Sequence, residues 1–257
     1  MVNFVFKRSI FRIKEIAFCS YKDINRKNCD VINLHSNDDV DDSNDGLECV
    51  VKKQYTLENN LLLTEEEIWM LFRKTYRNEI RRVEKEEAVV NYYDNNDKAV
   101  LDKFENTYNN MFNSKNINNK FNRRLVEGGI SEGQIIISCC KSNDEDGIEV
   151  FHAYLYDNKK TVLMYSASPL WEDGDKDIAN KIGRMNKYLH WMDLKYFKKI
   201  GCEIYEWGGI NSVENPNGIA KFKLGFGGTV KVYYNYVIAC SLIGKLYVYL
   251  VKRKISK

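Results

Sequence analysis

A mixed α/β fold with a largely antiparallel sheet flanked by helices is the architecture this sequence predicts, and three observations point there. Short apolar runs with period-two alternation recur along the chain, as in FVFKRSIFRI, GQIIISCC and IEVFHAYLYD. Between them lie segments with apolar residues every three or four positions, such as KAVLDKFENTYNNMF and NKYLHWMDLKYFKKIG. Some connections are short, and the NKK that separates two of the runs suits a hairpin. At 257 residues the chain is ample for one core. The expected organisation is a smaller N-terminal α/β extension over residues 1–85 and a main domain over 86–257.

Taken in order, residues 1–62 hold alternating strand segments split by the polar stretch HSNDDVDDSNDG, which reads as an exposed loop carrying an incidental His35. Thr64 followed by Glu65, Glu66 and Glu67 combines a capping hydroxyl with acidic residues where the helix dipole favours them. The helix then runs through Trp69, Phe72, Tyr76 and Ile80, with Arg73, Arg77, Arg81 and Arg82 on a solvated face. AVVNYY predicts a strand, and Val100, Phe104, Tyr108 and Met111 mark a helix. Three strands follow, GQIIISCC, IEVFHAYLYD and TVLMYSASPL, then a polar loop with Gly183 and a helix expected from about Asn186 to Gly201. CEIYEW is a further strand closed by Gly208 and Gly209, and a short helix around GIAKFKLGF precedes the strand TVKVYYNYVIA. The run from Val232 to Val251 contains Asn235 and Lys245 and suits a strand plus a second strand or short helix better than a membrane span. A homodimer surface and an apolar core strand both account for it.

Composition removes several classes of function. Thirty-nine basic residues nearly cancel 36 acidic ones, so no nucleic-acid-binding face is advertised. Seven cysteines, irregularly spaced and without a C-x-x-C pair, fit neither a disulfide framework nor a zinc site. No signal peptide or membrane-inserting segment is expected, and the expected location is the cytoplasm.

Candidate chemistry concentrates in three places. His152 and Tyr154 share one face of a strand whose Phe151, Ala153 and Leu155 take the other, so they line a pocket or sit satisfied in a core. His190 and Asp193, three apart on a helix, reach each other or serve packing. Glu206 falls in a strand that reads as buried, where carboxylates are rare without a partner or a purpose.

In this order and spacing, FHAYLYD, SAS, IGRMNKYLHWMD, YEWGG and FKLGFGG make residues 86–257 resemble a GNAT-superfamily acyltransferase, most similar to the branch shared by Fem-type peptidoglycan-bridge proteins and nucleotide-sugar N-acyltransferases. The resemblance implies a GNAT-like fold and an acyl-CoA co-substrate, with no metal. The implied acceptor is the amino group of a nucleotide-linked sugar, such as a dTDP-amino sugar, in bacterial surface-polysaccharide synthesis. It places the coenzyme A diphosphate on a turn at Gly183, Arg184, Met185 and Asn186, where unpartnered N–H groups of a helix start bind anions. Asn180 and the bulky Met185 depart from the family pattern there. Ser166 and Ser168 would line the acyl donor, and His190, Trp207 and Lys223 the acceptor. Lys221 stands where many members carry an acidic tyrosine, leaving Lys221 or Lys223 to stabilise the departing thiolate. His152 is the expected general base, oriented by Tyr154 and Glu206, with Glu206 its competitor. The alternatives are a Fem-like ligase fed by aminoacyl-tRNA and a non-catalytic GNAT-like binding module.

Overall fold

A computed structural model describes residues 1–39, 48–145, 147–170 and 176–255. Four strands open the chain: β1 (Val2–Arg8), β2 (Phe11–Ala17), β3 (Val31–Ser36) and β4 (Cys49–Asn60). Helices α1 (Glu65–Leu71) and α2 (Lys74–Lys85) follow, then β5 (Val89–Tyr93), α3 (Lys98–Asn113) and α4 (Arg123–Ser131). Next come β6 (Ile135–Lys141), β7 (Glu149–Tyr156), β8 (Lys160–Ala167) and α5 (Lys176–Lys199). The chain ends with β9 (Ile204–Ile210), α6 (Gly218–Leu224), β10 (Thr229–Ala239) and α7 (Leu242–Ile255).

All ten strands form one sheet in the order β1-β2-β3-β10-β4-β9-β8-β7-β6-β5. Neighbours are antiparallel except β2 with β3 and β8 with β9. The expected mixed, largely antiparallel sheet flanked by helices is therefore present. No break in the sheet falls at residue 85, because β4 pairs with both β9 and β10.

Alternation sets the two faces. Tyr154, Tyr205 and Trp207 pack with Met185, Leu189 and Phe197 of α5 and with Ile80 and Val83 of α2. The opposite parity, Phe151, Ala153 and Leu155, packs with Phe104 of α3 and Leu125 and Val126 of α4. Thr64 and Glu67 form the capping box that the sequence announces. The single helix expected through Ile80 is interrupted, however. Phe72 turns extended and buries its ring against Trp191 and Phe226, so α2 restarts at Lys74. The run after Val232 resolves into strand β10 and helix α7.

Candidate active site

The parallel pair β8 and β9 holds register only at Lys160↔Ile204, Thr161↔Tyr205 and Val162↔Glu206. Beyond Val162 the strands part, and Leu163 to Ala167 have no β9 partner for their inward backbone groups. Gly208 packs closely against β8 at the point of parting. Its φ of 67° lies in the left-handed region, and a Cβ there would sit 2.7 Å from the carbonyl oxygen of Leu163. The cleft between the parting strands is bounded on one side by this stretch of β8, which has no β9 partner, and backbone groups outside a ladder need other partners.

Lys223 stands at the apex of that cleft. It projects from α6, and its Nζ donates to the Gly209 carbonyl at 2.9 Å. Burial pushes its ammonium down to about 8, against the upward pull of Glu206. Lys221, two residues earlier, points into solvent. Of the two lysines, Lys223 is the one at the cleft.

On the α5 side, the predicted His152, Tyr154 and His190 do come together, joined by Asp193 and Tyr205. His152 Nδ1 lies 2.7 Å from Asp193 Oδ2, to which the Tyr154 hydroxyl donates at 2.6 Å. Tyr154 and Tyr205 hydroxyls are 2.6 Å apart, and Tyr205 is 2.9 Å from His190 Nδ1. Desolvation above all holds His190 well below its ordinary value, so its ring is neutral. One assignment uses each proton once: His190 donates to Tyr205, Tyr205 to Tyr154, and Tyr154 to Asp193. Burial, reinforced by Asp193, pushes both tyrosines far up, which keeps these hydroxyls protonated. His152 Nδ1–H then donates to the same Asp193 oxygen, leaving His152 Nε2 as a buried lone pair without a hydrogen-bond partner, as is Asp193 Oδ1. An imidazole aligned by a carboxylate, with its other nitrogen free, is the arrangement of a general base. In the sheet His152 stands opposite the half-exposed Ser166, on the stretch of β8 that lacks a β9 partner.

His152, His190 and Asp193 also bring one donor atom each within 4.8 Å of one another, a spacing open to a metal ion. The Tyr154 hydroxyl occupies that space and the contacts have hydrogen-bond lengths, so the group reads as a proton network.

Glu206 is not part of this network. Tyr205 and Trp207 face α5, so Glu206 between them faces the other side of the sheet, opposite the expected arrangement in which it helps orient His152. There it meets His35, whose Nε2 lies 3.0 and 3.1 Å from the two carboxylate oxygens. His35 is accordingly no loop residue: it sits on β3, and its Nδ1 contacts Asn235 Oδ1 at 2.8 Å. The ring stacks on Tyr233 at 4.5 Å. Tyr233 in turn donates to Glu58 and accepts from Lys160 Nζ at 2.7 Å. Lys160, Ser36, Asn37 and Asp38 line a depression of about 320 Å³ beside this row. Alternation over VINLHS was the available signal for a strand at His35, but the adjoining Asp/Asn run masked it.

The expected diphosphate turn is overturned. Helix α5 is already formed at Lys176, so Gly183, Arg184, Met185 and Asn186 lie inside it with their N–H groups committed to helical bonds. Met185 is core, Arg184 is buried 3.7 Å from Glu86, and the Gly183 carbonyl accepts from Lys187. Residues 171–175 lie outside the described residues. Trp207 is wholly buried, its Nε1 donating to Asn59 at 2.6 Å, and it contacts the ring of His190. It supports the network from behind. Ser168 follows directly on the stretch of β8 that lacks a β9 partner.

No family model matches the chain, and no curated protein does. Solved structures do share its fold. FemX aligns with a TM-score of 0.59 at 12% identity, covering 89% of this chain and 82% of its own. The C-terminal domain of a putative lysylphosphatidylglycerol synthetase from Agrobacterium fabrum aligns with a TM-score of 0.54 at 11% identity, covering 96% and 83%. A conserved protein of unknown function from Bacteroides thetaiotaomicron gives 0.50 at 11%, covering 81% and 69%.

Proposed function

We propose that this protein transfers an acyl group from an activated donor to an amine by direct attack. The observation that carries the reading is the cleft between β8 and β9 with the buried Lys223 ammonium at its apex. A donor lying along Leu163 to Ala167 pairs with the backbone groups that have no β9 partner and brings its carbonyl towards Lys223. The ammonium then stabilises the developing oxyanion, and with a pKa of about 8 it can give its proton to the leaving group near neutral pH. His152 Nε2 is the proposed acceptor of the amine proton, with Asp193 fixing its tautomer. Glu206 is given a different part: both its oxygens are engaged by His35, and its charge favours the protonated form of Lys223.

No acyl-enzyme is required. Burial pushes the Cys202 thiol up to about 12, which makes it a poor nucleophile. Cys29, lowered to about 7 chiefly by the neighbouring Cys240, packs with Ile16 and Leu34 in a separate core cluster.

The proposed acceptor is the amino group of a nucleotide-linked sugar, and the proposed donor a short acyl-CoA. A second reading, an aminoacyl ester as donor, is favoured by one specific observation. The helix interior at Gly183–Asn186 offers no diphosphate cradle. One structural neighbour is, by its printed name, the C-terminal domain of a putative lysylphosphatidylglycerol synthetase, a name consistent with aminoacyl transfer on this fold. The test presents acetyl-CoA or aminoacyl-tRNA to a panel of nucleotide amino sugars and follows product mass. Turnover with either donor that falls at least 10²-fold in Lys223→Met supports the reading. Turnover unaffected by Lys223→Met, or no donor binding at all, favours a non-catalytic module.

A further inference from the structure

We propose that α7 is a surface anchor that lies flat on an anionic lipid bilayer. The helix touches the sheet through a narrow inner line. Gly244 approaches so closely that a Cβ would stand 1.9 Å from the Asp30 carbonyl oxygen, and Tyr247 and Val248 continue that line. The outer side exposes Leu242, Ile243, Leu246, Tyr249 and Leu250, with Leu242 83% exposed. At about 100° per residue these five occupy roughly one third of the circumference. Lys245 and Lys252 flank that stripe on one edge and Lys254 on the other, with Arg253 at its C-terminal end. The helix from Leu242 to Ile255 contains no Asp or Glu.

The neighbouring hairpin extends the same surface. Ile10, at the turn between β1 and β2, is 71% exposed. Arg8 and Phe11 form one wall of a groove of about 650 Å³ whose other wall is Leu250, Arg253 and Lys254.

Charge decides the occupant. An exposed apolar stripe edged only by cations matches the boundary of an anionic bilayer, where acyl chains take the stripe and the lysines reach up to head groups. A second copy laid on this face would bring lysine against lysine with no carboxylate in the helix to answer. At 14 residues the helix is about 21 Å long, so it lies on a membrane and does not cross one. The inference is independent of the acyl-transfer reading.

Co-sedimentation of the full chain with large unilamellar vesicles tests it. Vesicles of phosphatidylcholine with about 30% phosphatidylglycerol should pull the protein down at low salt, and phosphatidylcholine alone should not. Lys245→Ala with Arg253→Ala should weaken binding roughly 25-fold, about fivefold per charge. Leu246→Glu with Leu250→Glu should abolish it while leaving the circular dichroism spectrum unchanged. Failure to bind anionic vesicles overturns the proposal, as does equal binding by either double variant. A wild-type dimer that the leucine variant dissolves, without vesicle binding, assigns the face to a second copy and also overturns it.

Discussion

His35 and Glu206, 171 positions apart in sequence, are joined by one imidazole nitrogen set 3.0 and 3.1 Å from both carboxylate oxygens. The other ring nitrogen faces an amide oxygen, that of Asn235, whose NH₂ is spent on Gln54. Two acceptors on two nitrogens require a doubly protonated ring. Burial alone pushes the His35 pKa down, but Glu206 and Asn235 outweigh it and the net shift is upward. This ion pair ties β3 to β9 across β10 and β4, and so fixes the first strands against the strand that forms one wall of the cleft.

His35→Leu should therefore destabilise the fold by about 3–5 kcal/mol, because it leaves Glu206 buried without its partner. The sign of the pH dependence follows from the raised pKa. The pair's contribution is fully present below the unfolded value near 6.5 and is lost as pH rises through the higher folded value. Urea melts of wild type and variant should differ most at acidic pH and converge above neutrality. A gap that widens towards alkaline pH would contradict an imidazolium at this position.

Lys223 gives a kinetic prediction. Lys223→Met should lower kcat about 10²–10³-fold, the usual cost of losing one donor to a developing oxyanion. Lys223→Arg keeps the charge but cannot titrate near neutrality, so it should retain part of the rate and move the alkaline limb, expected near 8, to higher pH. Pre-steady-state rates over pH 6–10 read this directly. An alkaline limb unmoved in Lys223→Arg would assign it to another group.

Gly208 packs against β8 at the point where the strands part. Gly208→Ala places a Cβ 2.7 Å from the Leu163 carbonyl on a backbone with φ of 67°, so it should cost about 1–3 kcal/mol. Thermal melts measure the loss. Gly218→Ala is the control, since a Cβ at Gly218 meets nothing within 4 Å. Equal melting of the two variants would mean that Gly208 relaxes without strain.

The strands and the pairing of His152 with Tyr154 were legible because alternation over FHAYLYD has one buried solution per face. Helix α4 was not, since Gly128 and Gly129 lower the helix propensity of its nine residues. In the fold Gly129 lets α4 lie against Ile135, where a Cβ would come within 2.4 Å. His35 was lost for a related reason: local polarity after β3 outweighed a contact made by residues far along the chain. The network around Asp193 depends on α5 lying over β7, and spacing within either element alone does not reveal it.

Gly183 separates two readings of α5 most sharply. As a turn glycine holding a diphosphate, it would tolerate no side chain, and Gly183→Ala would weaken donor binding by blocking backbone approach. In the structure it is an interior residue of a 24-residue helix, and a Cβ there would meet only the flexible Lys187 ammonium at 3.8 Å. Glycine inside a helix is less favourable than alanine by about 0.5–1 kcal/mol, so Gly183→Ala should stabilise the protein by that amount. Donor affinity and kcat should be unchanged, because the N–H groups of Gly183 to Asn186 are already bonded within the helix. Chemical denaturation and calorimetric titration of the donor examine the two halves separately. A stabilised variant with wild-type donor affinity confirms the helix interior, whereas a loss of affinity at unchanged stability would return the anion site to this segment.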